Sequence, residues 1–302
     1  MQTIPYFDYG GKGAPLHFLH ANGYPPECYK LLFELLKTEY HLFGMTLRPL
    51  WPDSKLEDIY DWHPFSDDLL SFLTDHQPFD KTQGKSDPVI GVGHSIGGIV
   101  TLRAALRNPK KFQAIILLDP VLFVPSFLVM WNLIRAIGLG NKVHPKISGA
   151  LKRRNTFDDL EMVFRGYRTR DVFRYMSDEN LRAYIAGITK PIDGGGFKLA
   201  YPPAWESHIY LTGLHDFDLW RGLPTLEVPT LIIRGAETDT FLENTAKRVK
   251  KKNPKIQIET MQKSTHILPL ERPQEVFEIM QSFLKETLEF DSLLRGFREQ
   301  AP

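Results

Sequence analysis

Residues 88–107 read Pro-Val-Ile-Gly-Val-Gly-His-Ser-Ile-Gly-Gly-Ile-Val-Thr-Leu-Arg-Ala-Ala-Leu-Arg. A short β-rich apolar run leads into the pentad Gly93-His94-Ser95-Ile96-Gly97, after which Ile99, Leu102, Ala105 and Leu106 recur at helical spacing. A strand that enters a helix through so tight a turn strains its backbone at the apex, and Gly93 and Gly97 stand where a side chain would collide across that turn. The apex is Ser95. Its hydroxyl is held clear of the chain, and the first N–H groups of the helix point toward whatever that hydroxyl attacks. Nucleophile and anion stabiliser thus come from one local structure.

Outward from the pentad, Leu16-His17-Phe18-Leu19-His20 reads as a strand running into the turn-forming loop Ala21-Asn22-Gly23-Tyr24-Pro25-Pro26. Toward the C-terminus, residues 229–233 form a buried-type strand that ends in a loop carrying Glu237 and Asp239. Residues 256–260 alternate like a strand and lead to Ser264-Thr265-His266. With residues 41–45, 88–92 and 114–118 these make strands separated mostly by helical stretches. That alternation predicts an α/β fold with a doubly wound, mostly parallel sheet, preceded by an antiparallel start near residues 6–9. A last helix is predicted from Pro273 to about Leu288, with Val276, Phe277, Met280, Phe283 and Leu284 on one face. Residues 120–223 lack a clear strand and are rich in aromatic residues.

The order serine, acid, histidine, together with the elbow at Ser95 and the loop after the early strand, resembles the α/β-hydrolase family. The resemblance spans nearly the whole chain except its middle. It implies Ser95 as nucleophile, His266 as general base, Asp239 as the acid that orients it, and the backbone N–H groups of Asn22 and Ile96 as an oxyanion hole. Two departures stand out: His20-Ala21 replaces the usual His-Gly, and Asp239 lies one residue further from Gly235 than the family's Gly-x-x-Asp spacing. Glu237 and Asp119 are the alternative acids, the latter because some members take the acid from the strand after the elbow helix. Asp119 also reads simply as a turn or capping residue before Pro120. By the same resemblance residues 120–223 are an inserted helical cap over the active site, between core segments 1–119 and 224–302.

These readings lead to a serine hydrolase that cleaves a carboxylic ester through an acyl-enzyme, a small-molecule ester being its partner. The apolar run across residues 121–131 suggests an acyl or other apolar group. Cleavage of a carbon–carbon bond or a thioester by the same residues, a triad-retaining small-molecule receptor, and a lipid-surface protein using its apolar cap are the rivals. Serine at the elbow argues against the family's dehalogenases and epoxide hydrolases, which use Asp there. His94 reads as a packing residue beneath the turn, because consecutive side chains diverge at the elbow, and His20 as a loop-shaping residue.

Composition fits this class. The 302 residues suffice for one large α/β domain with an insertion, and 42% hydrophobic with 24% charged is ordinary globular composition. A formal net charge of +1 supplies no field for nucleic acid. The clusters Lys250-Lys251-Lys252 and Lys152-Arg153-Arg154 read as solvated faces. With Cys28 alone no intrachain disulfide or cysteine metal cluster can form. No HExxH, P-loop or GxGxxG pattern appears, so no cofactor or metal is implied. Residues 1–15 show no secretory signal, which makes a cytoplasmic location the default expectation. The apolar stretch 114–139 is interrupted by Asp119, Pro120, Pro125 and Arg135, which argues against a membrane span while leaving transient lipid contact open.

Overall fold

Strands that are apolar at successive positions must be covered on both faces, and the chain meets this demand with one sheet between two helical layers. The computed structural model describes residues 3–76 and 88–299. Its central sheet comprises β1 (Tyr6–Gly10), β2 (Pro15–Leu19), β3 (His41–Met45), β4 (Val89–His94), β5 (Phe112–Leu118), β6 (Thr230–Gly235) and β7 (Gln257–Met261). Their spatial order is β1-β3-β2-β4-β5-β6-β7. Only β1 runs antiparallel to its neighbour. Reversal of strand order around β2 and β4 makes the sheet doubly wound.

The helices that concern the site are α1 (Lys30–Leu36), α2 (His63–Asp75), α3 (Ile96–Arg107), α4 (Pro125–Ala136), α5 (Pro145–Leu151), α6 (Leu160–Arg168), α7 (Asp178–Ile188), α8 (Pro203–Thr212), α9 (Glu243–Lys252) and α10 (Pro273–Glu299). Side chains alternate along β5. Ile115 and Leu117 join Phe65, Leu69 and Phe72 of α2 and Ile99 and Leu102 of α3, while Ala114, Ile116 and Leu118 join Leu32 and Phe33 of α1 and Val276 and Met280 of α10.

Between β5 and β6 the chain contributes α4 to α8 and no strand to the central sheet. This insert holds a small antiparallel sheet of Thr156–Phe157, Phe197–Leu199 and Thr189–Pro191, where the sequence predicts no clear strand. Two or three residues are too short to express an alternating period. α10 runs past the predicted end near Leu288 because no proline stops it. Where the insert returns to the core, the buried Arg103 of α3 donates to Asp216 at 2.6 Å and to Asp218 at 2.7 Å, fastening the elbow helix to the returning chain.

Candidate active site

At the β4–α3 junction Ser95 has φ 58° and ψ −118°, a conformation costly for a residue with a Cβ. The neighbours hold it there. A Cβ on Gly93 would lie 2.2 Å from the carbonyl oxygen of Gly97, and one on Gly97 would lie 2.2 Å from that of Leu19. The Ser95 N–H donates to the Leu118 carbonyl at 3.0 Å, while the Ser95 carbonyl accepts from Gly98 and Ile99 in the first turn of α3. Both glycines are therefore needed for β2, β4 and α3 to approach as closely as they do.

His266, on the loop after β7, reaches the Ser95 hydroxyl, whose Oγ lies 2.9 Å from Nε2. The opposite nitrogen, Nδ1, donates to Asp119 Oδ2 at 2.7 Å. Asp119 immediately follows β5, is fully buried, and has φ 42°. Its carboxylate is richly solvated by protein: Oδ1 accepts from the Gly235 N–H at 3.0 Å, and Oδ2 accepts the Thr238 and Thr240 hydroxyls, each at 2.5 Å. These donors satisfy both oxygens of the buried carboxylate without bulk water.

The structure thus brings Asp119, and not the expected Asp239, against His266. Asp239 does not hydrogen-bond to His266; it forms an ion pair with Lys146 of α5 at 2.9 Å, with its side chain 63% exposed. Burial opposes its ionisation, but the neighbouring Lys146 ammonium prevails and holds its carboxyl below the usual range. The reason lies in the alternation of Glu237-Thr238-Asp239-Thr240. The two threonines turn inward to Asp119, so the acids that alternate with them turn outward. Glu237 accordingly meets Arg174 and Tyr175 of the insert, at 2.5 and 2.6 Å. The loop after β6 does serve His266, but through hydroxyls on the early acid.

Asn22, on the loop after β2, and Ile96, first residue of α3, both line the cavity beside Ser95. Among the described residues their backbone N–H groups donate to no protein acceptor. For Ile96 this follows from its place, since the first turn of a helix has no internal acceptor. The Asn22 side chain donates to the Glu206 carbonyl of α8 at 3.0 Å, so the insert helps fix this loop.

A buried relay that sequence reading passed over joins these parts. The Ala21 N–H donates to the Tyr29 hydroxyl at 3.1 Å; that hydroxyl donates to His94 Nδ1 at 2.7 Å; and His94 Nε2–H donates to the His266 carbonyl at 2.9 Å. Each direction follows from the last, because a carbonyl only accepts. Burial, reinforced by His266, pushes the His94 pKa well down, so the imidazole is neutral and its Nδ1 accepts from Tyr29. His20 matches its expected loop-shaping role: Nδ1–H donates to the Ala21 carbonyl at 2.9 Å and Nε2 accepts the Leu47 N–H at 3.0 Å. Cys28 is buried, and that burial raises its thiol pKa.

Ser95 and His266 open into a cavity of about 820 Å³ between core and insert. Its lining includes Phe123, Phe127, Met130, Trp131, Ile134 and Leu214, together with Lys146, Asp239, Arg174 and Glu237.

Residues 18–279 match the model of the alpha/beta hydrolase family. The chain is 24% identical over 165 residues to the type I acyl-CoA thioesterase mpaH′ of Penicillium brevicompactum, a match covering 49% of this chain and 34% of that protein. It thus aligns with only about a third of that fungal relative's length. A protein of Synechocystis sp., provisionally named a non-heme chloroperoxidase, is 26% identical over 291 residues, covering 93% of this chain and 94% of its own. Among solved structures, E-2-(acetamidomethylene)succinate hydrolase superposes with a TM-score of 0.70 at 17% identity, over 93% of this chain and 94% of that one, a likeness of fold. With a family model matched from β2 into α10, the chain belongs to the alpha/beta hydrolase family.

Proposed function

We propose that the chain is a serine hydrolase that cleaves a carboxylic ester of apolar acyl group through an acyl-enzyme, with Ser95, His266 and Asp119 as its triad. The observation that carries this reading is the unbroken relay from the Ser95 hydroxyl through His266 to the buried Asp119 carboxylate, opening into a cavity with an apolar wall. A serine hydroxyl becomes an effective nucleophile when a base takes its proton during attack. His266 Nε2 is in place to do so. As Oγ bonds to the substrate carbonyl carbon, the carbonyl oxygen gains charge and faces the N–H groups of Asn22 and Ile96, where each donor is worth about a hundredfold or more in rate. Asp119 fixes the imidazole tautomer and stabilises the imidazolium. Collapse of the tetrahedral adduct breaks the C–O bond, and the departing alkoxide takes the proton from Nε2. Water then gives its proton to His266, attacks the acyl carbon, and releases the acid as Ser95 recovers its hydrogen.

The test pairs a fluorophosphonate probe with chromogenic esters of increasing acyl length. Label on Ser95, abolished in Ser95→Ala, together with ester turnover is the expected result. Label on another serine overturns the assignment. A thioester is cleaved by the same steps, a reading favoured by the name of the fungal relative; comparing an acyl-CoA with an oxygen ester of the same acyl chain decides between them. Carbon–carbon cleavage or a receptor role would show as binding and labelling without turnover of either ester.

A further inference from the structure

Exposed apolar surface is unevenly spread over the molecule. Of the twelve exposed large apolar side chains among the described residues, seven lie between Val129 and Leu151. Val129, Leu133 and Ile137, 51%, 63% and 70% exposed, recur every fourth residue and form an outward stripe along α4 and just past its end. Leu139 and Val143 continue it. Met130 and Val143 are exposed and also line the cavity, so the stripe runs into the cavity mouth.

Charge is uneven in the same place. From Pro120 to Phe157 there is no Asp or Glu, but six cations: Arg135, Lys142, Lys146, Lys152, Arg153 and Arg154. The net charge of the whole chain is only +1, so the remainder carries a compensating excess of acid. Lys142 adjoins Val143, Lys152 adjoins Leu151, and both lysines are exposed. Arg153 and Lys146 are already engaged with Glu206 and Asp239.

An apolar stripe in a stretch whose cations include the exposed Lys142 and Lys152, neither with an ion-pair partner among the described residues, matches the interfacial region of an anionic bilayer, where apolar side chains enter the acyl boundary and ammonium groups meet headgroup phosphates. It suits a second copy of the chain poorly, because a two-fold interface would bring the two basic borders together. We infer that the surface of α4 and the following turn docks on an anionic lipid surface and presents the cavity mouth to it. Uptake of an acyl ester from that surface rests on the hydrolase reading above; the docking itself does not. No helix among the described residues is long and apolar enough to cross a membrane, so the contact is peripheral.

The full chain is to be floated with vesicles of phosphatidylcholine alone and of equal parts phosphatidylcholine and phosphatidylglycerol, at low and raised salt. The expected result is binding to the anionic vesicles only, weakened by salt. Leu133→Ser with Ile137→Ser should lower that binding about tenfold or more. Lys142→Glu with Lys152→Glu should lower it by roughly two orders of magnitude, each cation contributing about fivefold before its reversal adds repulsion. None of these four residues lines the cavity. Turnover of a soluble short ester should therefore stay at the wild-type level in both variants, which also shows that they fold. Failure of the wild-type chain to float, or equal floating of wild type and both variants, overturns the inference. So does a wild-type dimer in sedimentation velocity that the apolar variant dissolves, since the stripe would then be a self-association surface. A chain that floats as expected but turns over no ester supports the docking and removes the catalytic reading.

Discussion

Asp119 and Asp239 differ in their surroundings, and that difference sets the expected cost of removing each charge. Asp119→Asn keeps the shape but can no longer hold the His266 Nδ1–H tautomer with a full carboxylate, so kcat on a good ester should fall on the order of a thousandfold or more. Asp239→Asn breaks only a partly exposed ion pair with Lys146 and should cost less than about tenfold. Both variants are to be assayed with one ester and checked by thermal melting; collapse in a well-folded Asp239→Asn with near-normal Asp119→Asn would return the acid role to Asp239. The sequence named both residues and favoured Asp239, whereas the structure brings Asp119 to His266, because loop position says which segment approaches the histidine and not which way its side chains turn. The threonines flanking Asp239 were the available signal. Tyr29→Phe tests the buried relay in the same way. It leaves the Ala21 N–H and His94 Nδ1 without their partner, and the expected result is a kcat roughly tenfold lower with KM little changed, since the groups displaced are the loop of Asn22 and His266, to which the proposed mechanism gives the oxyanion and base roles. A rise in KM alone would show that the relay shapes the cavity instead.

At the scale of elements, the elbow was legible because its glycines leave a fixed sequence spacing, and the coordinates give those glycines a steric reason. Gly97→Ala would place a Cβ on the Leu19 carbonyl of β2, so the variant should lose both fluorophosphonate labelling and several degrees of melting temperature, whereas a wild-type melt and labelling rate would contradict so close an approach. The parallel strands were legible for a related reason: burial on both faces demands continuous apolar runs, and β4, β5 and β6 are such runs. The insert was legible only as a gap in that pattern. Its short strands, and its contacts through Glu206, Arg174 and Lys146, depend on residues far apart in sequence. α4 takes up much of the apolar run across residues 121–131, and its cavity-lining residues have a testable consequence. Phe127→Ala should shift preference along an acyl-length series while leaving the shortest ester nearly unaffected, because Phe127 lines the cavity wall. Equal losses at every length would make it a packing residue.

For the whole molecule, the buried histidines tie stability to pH. His17 and His20 are fully buried, and desolvation lowers their pKa values to about 3 and about 4, while His94 is driven down for the same reason. In the unfolded chain each regains an ordinary affinity for protons near pH 6.5. Acidification therefore protonates the unfolded state first, and the stability these groups permit is present above pH 6.5 and lost as pH falls toward their folded values. Between about pH 7 and about pH 5.5, His17 and His20 together should cost about 2.5 kcal/mol, with His94 adding in the same direction. Asp68, Asp216 and Glu271 oppose this, since burial raises their carboxyl pKa values in the folded state, but their unfolded counterparts titrate mainly below that range. Urea midpoints measured across the interval should fall steadily with pH. Replacing His17 by Gln should make the fall shallower whatever it does to stability at neutral pH, because the slope counts protons and not contacts. A midpoint constant from pH 7 to pH 5.5 would mean that these imidazoles take up protons inside the folded protein, and the neutral His94 on which the Tyr29 relay depends would lose its footing.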